Sequence, residues 1–519
     1  MKRMRLLAFA LFLLAGIMLH AQQSQPGLYA GDDFQGEMDL YDAFEWISAN
    51  AQDGGNYTIV LETDLAASSS VLDYNGKSVT VSLKSSGADV QVTYATRSPS
   101  SSLFTVKEGV TFILEKGVAL VGRPSASRPP VTVDGGSFIM NGGAVKDSKV
   151  DHDRNWFGGG VNLLQGTFTM NDGIISGNAC IGGAGVNVGE NTIFIMNGGV
   201  IKENSIIQWS DNERSDGFGG GVFVDKNAKF TMNGGTICNN SASCSYYCGS
   251  RGYGGGGGVY VNGLFTMVDG TIRNNACNNG VYMQGNGGGI CVSGNGLFIM
   301  QGGTISNNSY SGVYLIQYVV SKMVFGHGNG KIIMNGGIIN GNTGIGVCID
   351  GIFEMNNGII SGNTANGVML RTGTFTMNNG AITGNTTNGN YSGVGGGGVY
   401  VNNSSTFTMN DGIIANNVAQ RNVKGGGGVL VEGSFTMNNG TISGNSTTKS
   451  GGGVLVVGGT FIKSNTAGII YGGEVAEDKA NKADQYGHAV YTKNGSRDTT
   501  ARATMALDSS KYGAEGGWE

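Results

Sequence analysis

The sequence predicts an all-β fold built as a parallel β-solenoid, and three observations predict it. Between Met334 and Met377 the chain repeats in units of 21 and 22 residues, marked by Met334, Met355 and Met377. Each unit holds apolar runs of three or four residues, such as GIIS, GVML and TFTM, separated by Gly and Asn. Runs that short form strands, and Gly-Asn corners break any helix. Three strands and three corners in about 22 residues make one coil, in which each unit buries its neighbour's core. Composition agrees: 94 of 519 residues are Gly but only 5 are Pro. Disorder and collagen both require abundant Pro, whereas periodic Phe, Met, Ile and Val require a packed core with Gly at the turns.

The chain opens on a targeting signal. Lys2, Arg3 and Arg5 form a positive start, Leu6 to Leu19 an apolar stretch, and Leu19-His20-Ala21 a small-residue cleavage site, so residues 1–21 are read as a signal peptide and Gln22 as the mature start. No Cys lies near that site to take a lipid, and no later stretch is long and apolar enough to span a bilayer as a helix. The formal net charge is −5. Without the three leader cations, 29 basic residues face 37 acidic ones, a balance of −8. No basic patch suggests nucleic acid or an anionic membrane surface.

Residues 22–56 read as a cap. Leu40, Phe44 and Ile47 in LYDAFEWISAN are spaced for a short amphipathic helix, and Asp53-Gly54-Gly55-Asn56 for a turn. Such a helix would cover the open edge of the first coil. Residues 57–130 hold irregular first coils, with strand signals at YTIVLE, SVTVSL, DVQVTY, LFTV and VTFILE, and Pro124, Pro129 and Pro130 marking a loop.

The regular array spans 131–466. Its signature, Phe-x-Met-Asn-x-Gly, is whole at Phe138, Phe168, Phe194, Phe230, Phe353, Phe375, Phe407 and Phe435. It is degenerate at Phe265 and Phe298, and Ile332 replaces Phe before Met334. Alternation sends Phe and Met to one face, which must be the dry inside of the coil. The Asn then falls at a corner, where equivalent residues one coil apart can form an amide ladder. Gly-Gly-Gly-Val-x-Val, as at Gly219, Gly256 and Gly426, and at Gly158 with Leu163 in the last place, supplies another strand with two inward apolar residues. At ~4.8 Å per coil, about 12 coils make a rod of roughly 55 Å. Lys463 takes the place of the inward Met and is expected to end the core, leaving 467–519 as a C-terminal cap or tail.

The repeated GG-[AGV]-[VI] and Phe-x-x-Asn tetrapeptides resemble those of the chlamydial polymorphic outer membrane protein family. More broadly, the chain resembles right-handed parallel β-helix proteins of the pectate-lyase-like type, many of them bacterial surface adhesins. The resemblance covers about 330 residues. It implies a single-stranded right-handed parallel β-helix with a short N-terminal capping helix, export, display at the cell surface in association with an outer membrane, and adhesion. That family carries a C-terminal membrane barrel, for which 467–519 is too short, since eight strands of ~10 residues are a minimum.

Insertions locate the candidate function. Most fall after the Gly-Asn corner and before the Gly run, at Asp147 to Phe157, Ser205 to Phe218, Ser241 to Tyr253 and Thr386 to Val394. Position in the repeat fixes position around the coil, so these loops should emerge along one edge. The first offers Asp151, His152, Asp153, Arg154 and Trp156; the second Trp209, Asp211, Glu213 and Arg214; the third Tyr246, Tyr247, Arg251 and Tyr253. Exposed aromatics and charges on one edge fit a sugar- or protein-binding surface. The plainer reading is that they fold back over the sheet.

Catalysis finds less support. Gly326-His327-Gly328 resembles one element of the polygalacturonase signature, but the only Asp-Asp is Asp32-Asp33, before the first coil, and no matching Arg-x-Lys follows. Asp172, Asp269 and Asp411 are read as corner residues standing in for Asn or Gly. Asp151, His152 and Asp153 are read as solvated neighbours, and the Gly runs precede no helix that could hold phosphate. Of seven cysteines, Cys244 and Cys248 sit in the third loop and could close a disulfide in an oxidising compartment, with Cys238 and Cys277 nearby. A zinc site at these four would lack the paired short spacings. Cys180, Cys291 and Cys348 are read as buried thiols. The expectation is an exported, secreted or surface-held protein. It would bind a host or matrix protein or a surface polysaccharide without a cofactor or catalytic residues. The alternative is a polysaccharide lyase or glycoside hydrolase of the same fold.

Overall fold

The computed structural model describes residues 25–95, 101–150, 158–207, 217–243, 255–278, 287–316, 318–321, 324–388, 394–463, 468–473 and 477–493. The N-terminal end is closed by β1 (Gly27–Ala30), β2 (Asp33–Glu37), α1 (Leu40–Asn50) and β3 (Gly55–Leu61). Asp39 caps α1 by accepting the Asp42 N–H at 2.8 Å. The periodic Leu40, Phe44 and Ile47 face inward, and Phe44 meets Phe104 edge to face at 5.6 Å, so the helix plugs the open coil. β1 pairs antiparallel with β2 and β3. From β3 onward the coil-to-coil pairings of the stack are parallel. Among the described residues, no helix is long and apolar enough to cross a membrane.

Each coil of this parallel β-helix carries three principal strands. The valine sheet stacks Val186–Val188, Val222–Val224 and Val259–Val261 in register. The phenylalanine sheet stacks Ile193–Met196, Lys229–Met232 and Leu264–Met267, and the isoleucine sheet stacks Val200–Lys202, Thr236–Cys238 and Thr271–Arg273. A fourth set of short strands follows, such as Ala179–Cys180 on Ser205–Ile206 and Thr386–Thr387 on Val418–Ala419. Phe and Met point inward as the alternation requires. Phe168, Phe194, Phe230 and Phe265 are buried with ring centroids 4.7, 4.7 and 4.6 Å apart and planes within 6°. Ordinary sheets turn by roughly 20–25° per strand; these coils barely rotate.

Two asparagine ladders hold the corners. The outer one follows Phe-x-Met: Asn171 Nδ2 donates to Asn141 Oδ1 at 2.9 Å, Asn197 to Asn171 at 2.8 Å and Asn233 to Asn197 at 2.8 Å. It breaks where Val268 and Gln301 replace Asn, and resumes from Asn335 to Asn438. The second ladder lies inside. It runs through Asn178, Asn204, Asn240, Asn275, Asn308, Asn342, Asn363, Asn385, Asn417, Asn445 and Asn481, each buried. Asn308 is typical: its N–H and Nδ2 both donate to Asn342 Oδ1 at 3.0 and 3.1 Å, and Nδ2 also donates to the Ile272 carbonyl at 3.1 Å. The residue before every rung except Asn481 turns the chain through left-handed backbone, as at Asn307 (φ 54°) and Gly384 (φ 65°). This is why the corner mostly reads Gly-Asn or Asn-Asn, with Glu203 the exception among the left-handed residues.

Lys463 does not end the stack. It occupies the slot above Met437, almost fully buried, its long stem replacing a methionine side chain, with burial pushing its ammonium pKa down. Beyond it Ile469–Ile470 pair with Thr441–Ile442, Asn445 donates to Asn481, and Val490–Lys493 pair with Val454–Val457.

Candidate functional site

The loop residues singled out from sequence (Asp151, His152, Asp153, Arg154, Trp156, Trp209, Asp211, Glu213, Arg214, Tyr246, Tyr247, Arg251 and Tyr253, with Cys244 and Cys248) lie outside the described residues. Their anchor points do not. Lys149 bridges to Ala179, Cys180 pairs with Ile206, and Ser241–Ser243 pair with Ala276–Asn278, so the departing strands stack. On the returning side Gly182 bridges to Phe218 and Phe218 to Gly255. The segments 208–216, 244–254 and 279–286 therefore leave and re-enter the coil at equivalent points of three successive turns, and 151–157 does so two turns before the first of them, the turn between passing directly through Ile181. The segment 279–286, carrying Tyr282, was not recognised from sequence. Beneath the loop bases runs a dry strip of Val150, Cys180, Ile206, Ala242 and Cys277. Burial pushes the Cys180 thiol up to about 12, and its S–H donates to the Gly182 carbonyl, so it is an inert packing group.

Beside this edge, the outward side of the valine sheet is also apolar. Its middle residue is polar in early coils, at Thr132, Asn162 and Asn187, and becomes Phe223, Tyr260, Cys291, Tyr314, Cys348 and Met369 in successive later ones. These side chains are buried beneath neighbours such as Phe218, Ile345 and Ala365.

Where this seam meets the phenylalanine sheet lies a polar cluster that sequence reasoning missed. Asp350 and Arg371 come from adjacent coils, and Arg371 is the extra residue of a β-bulge opposite Ile349 and Asp350. Tyr314 donates its hydroxyl to Asp350 Oδ2 at 3.1 Å, Arg371 donates to the Tyr314 oxygen at 3.1 Å, and Arg371 Nε lies 3.5 Å from Asp350 Oδ1. Burial raises the Asp350 pKa, against the lowering pull of Arg371, Tyr314 and Thr372; burial and the Asp350 charge together push Tyr314 well above the phenol range. A second group stands farther along: Tyr400 donates to Glu432 at 2.8 Å, Glu432 pairs with Lys424, and Asn402 donates to the Arg371 carbonyl at 2.8 Å. The antiparallel hairpin Tyr318–Ser321 and Val324–His327 is inserted in the chain between the strands Ser311–Leu315 and Lys331–Met334, and it contains Gly326 and His327.

This corner orders donors and acceptors but lacks an acid–base pair. Asp350 and Glu432 are three coils apart, about 14 Å at ~4.8 Å per coil, beyond the ~5–9.5 Å that glycoside cleavage uses. Among the described residues no group of three or more His, Cys, Asp or Glu could hold a metal. Asp172, Asp269 and Asp411 each accept the next glycine N–H at 2.7, 2.7 and 2.8 Å, which is a turn role. Arg371→Met is expected to destabilise this corner by about 2 kcal/mol at pH 7, a figure reduced from that of a buried pair because Arg371 is 41% exposed. A raised carboxyl pKa disfavours folding as pH rises through it, and losing Arg371 raises it further. The loss should therefore shrink toward pH 4 and in an Asp350→Asn background, leaving the part due to the Arg371–Tyr314 hydrogen bond, as read by denaturation at both pH values.

No family model, curated protein or solved structure matches the chain.

Proposed function

We propose that this chain is an exported, surface-displayed, right-handed β-helix of the pectate-lyase-like kind, akin to the polymorphic outer membrane proteins. On this reading it binds a surface polysaccharide or a host or matrix protein without turning it over. The observation that supports this is the stacking of loop anchors: the segments that carry Trp209 and then Tyr246 and Tyr253 are anchored on adjacent coils over a dry strip, and the one that carries Trp156 is anchored two coils before them. Aromatic side chains repeated along a rigid axis can each grip one segment of an extended ligand, and their summed contacts suit weak, repeated attachment. A polysaccharide-active enzyme is the lesser reading, because Asp350 and Glu432, the carboxylates of the two polar groups at this corner, are too far apart for one scissile bond. The test is retention of the mature chain on a panel of glycans and matrix proteins, with reducing ends and unsaturated uronate absorbance followed in the same wells. Retention without turnover, weakened about tenfold or more by Trp156→Ala with Trp209→Ala, is expected. Release of reducing ends or uronate absorbance from any glycan would overturn the reading.

A further inference from the structure

The variable residue between Asn and Gly in Phe-x-Met-Asn-x-Gly sorts the coils from Phe138 to Phe435. It is Asp at Asp172, Asp269 and Asp411, Asn at Asn357, Asn379 and Asn439, and Gly in the others. The Asp corners share one geometry. Each side chain accepts the N–H of the next glycine at 2.7, 2.7 and 2.8 Å, and that glycine sits at φ 106°, 105° and 104°. Asn357 and Asn379 repeat it. Asn357 Oδ1 accepts the Gly358 N–H at 2.9 Å and Asn379 Oδ1 the Gly380 N–H at 2.8 Å, with glycine φ values of 109° and 102°. Both asparagines are exposed, and among the described residues neither Nδ2 has a protein partner. The glycine nitrogen lies within about 4 Å of Cγ, a small rotation from the ~3–3.5 Å of a near-attack arrangement. Glycine also has no side chain to obstruct the approach.

We propose that Asn357 and Asn379 are sites of spontaneous deamidation, at which the folded chain converts asparagine to aspartate or isoaspartate. The glycine nitrogen, its proton taken by hydroxide, attacks Cγ. The bond from Cγ to Nδ2 breaks, ammonia leaves with a proton from water, and a five-membered imide closes. Water then opens the ring. Cleavage of the Cγ–N bond gives aspartate, and cleavage at the backbone carbonyl gives isoaspartate, so one water enters for each ammonia lost. The aspartate product meets a corner of a kind the fold already builds at Asp172, Asp269 and Asp411. Isoaspartate lengthens the main chain by one carbon at a tight turn. Either product adds a negative charge to an exposed corner, so the chain grows more acidic with age. The Asn-Gly pairs of the outer ladder are held differently. Asn197 Nδ2 donates to Asn171 and its Oδ1 accepts from Asn233, both at 2.8 Å, while the Gly198 N–H is turned to the Met170 carbonyl at 3.3 Å. Attack there requires two rungs and a coil-to-coil contact to open first. The same dipeptide is reactive at the corner and guarded on the ladder.

The test ages the purified mature chain in mildly alkaline buffer, folded and in urea, and follows its peptides by mass for the exchange of NH2 for OH. In urea no contact distinguishes the sites, and Asn357, Asn379, Asn197 and Asn233, each followed by Gly except Asn197 and Asn233's own ladder partners, serve as the reference set. In the folded chain Asn357 and Asn379 should convert at least about tenfold faster than Asn197 and Asn233, once each rate is divided by its value in urea. Asn357→Asp with Asn379→Asp should keep the urea midpoint of the parent chain. A corner-to-ladder ratio below about ten, including no conversion at either, would overturn the proposal. A lowered midpoint in the double variant would overturn the claim that these corners accept aspartate.

Discussion

Replacing Asn308 by leucine is expected to destabilise the stack by about 4 kcal/mol, although shape and volume are nearly conserved. Asn308 is fully buried and joins three coils. Its Oδ1 accepts from the Asn275 N–H and Nδ2 at 3.0 and 3.1 Å, while its own donors serve Asn342 and Ile272. Leucine would leave two donors and two acceptors short of a partner in a dry core, at ~1–3 kcal/mol each before relaxation. A solenoid's stability is a sum of neighbour terms, so the damage should be local. Amide hydrogen exchange should rise across the coils containing residues 272–342 and stay unchanged in distant ones. Asn410→Ala removes a rung of the exposed outer ladder and should cost under about 1 kcal/mol, because water replaces the partner. Equal costs at the two sites would remove the distinction between the ladders.

The second large effect is expected at Gly380, the closing glycine of one Phe-x-Met-Asn-x-Gly unit. Its φ is +102°, and a Cβ there would lie 2.6 Å from Met355 Cε and 2.7 Å from the Gly358 carbonyl oxygen. The methyl end of Met355 can move, but the backbone of the coil below cannot. Gly380→Ala should therefore cost about 3 kcal/mol, combining left-handed strain with a forced separation of two coils. Gly76 separates the two terms. It has φ +75° with nothing within 4 Å of its Cβ position, so Gly76→Ala should cost only about 1 kcal/mol. Met355→Ala in the Gly380→Ala background should not rescue stability. Urea midpoints of the four proteins provide the comparison.

The fold was legible because its cause is periodic. Phe and Met recur at the spacing of the coil, and that pattern alone fixes which side chains face inward. The outer ladder was legible for the same reason. The inner ladder was not, because Gly-Asn reads as a turn signal and an Asn in a core runs against the usual preference. Its trace in the sequence is an Asn in coil after coil, whether the following segment is three residues long or fourteen. Lys463 misled for a related reason: charge suggests exposure, yet its stem fits a methionine slot. The Tyr314–Asp350–Arg371 cluster could not be assembled from spacing, since its members are 36 and 21 residues apart and an insertion lies between the first two. The available sign was the outward residue of Val-x-Val, which changes from Thr and Asn to Phe, Tyr, Cys and Met along the chain. The loops hold the candidate binding residues and carry no periodicity, so sequence could locate them around the coil but say little of their form.

On the proposed function the loop edge binds ligand while the coil carries it. The turn from Asn342 to Gly346 makes the same passage with no long excursion, so the β-helix itself does not require the loops. The most direct measurement is the retention assay on a chain in which 208–216 and 244–254 are shortened to match that turn. An unchanged circular dichroism spectrum with loss of retention is the predicted result. Retention equal to that of the intact chain would contradict the account and move the binding surface to the sheets.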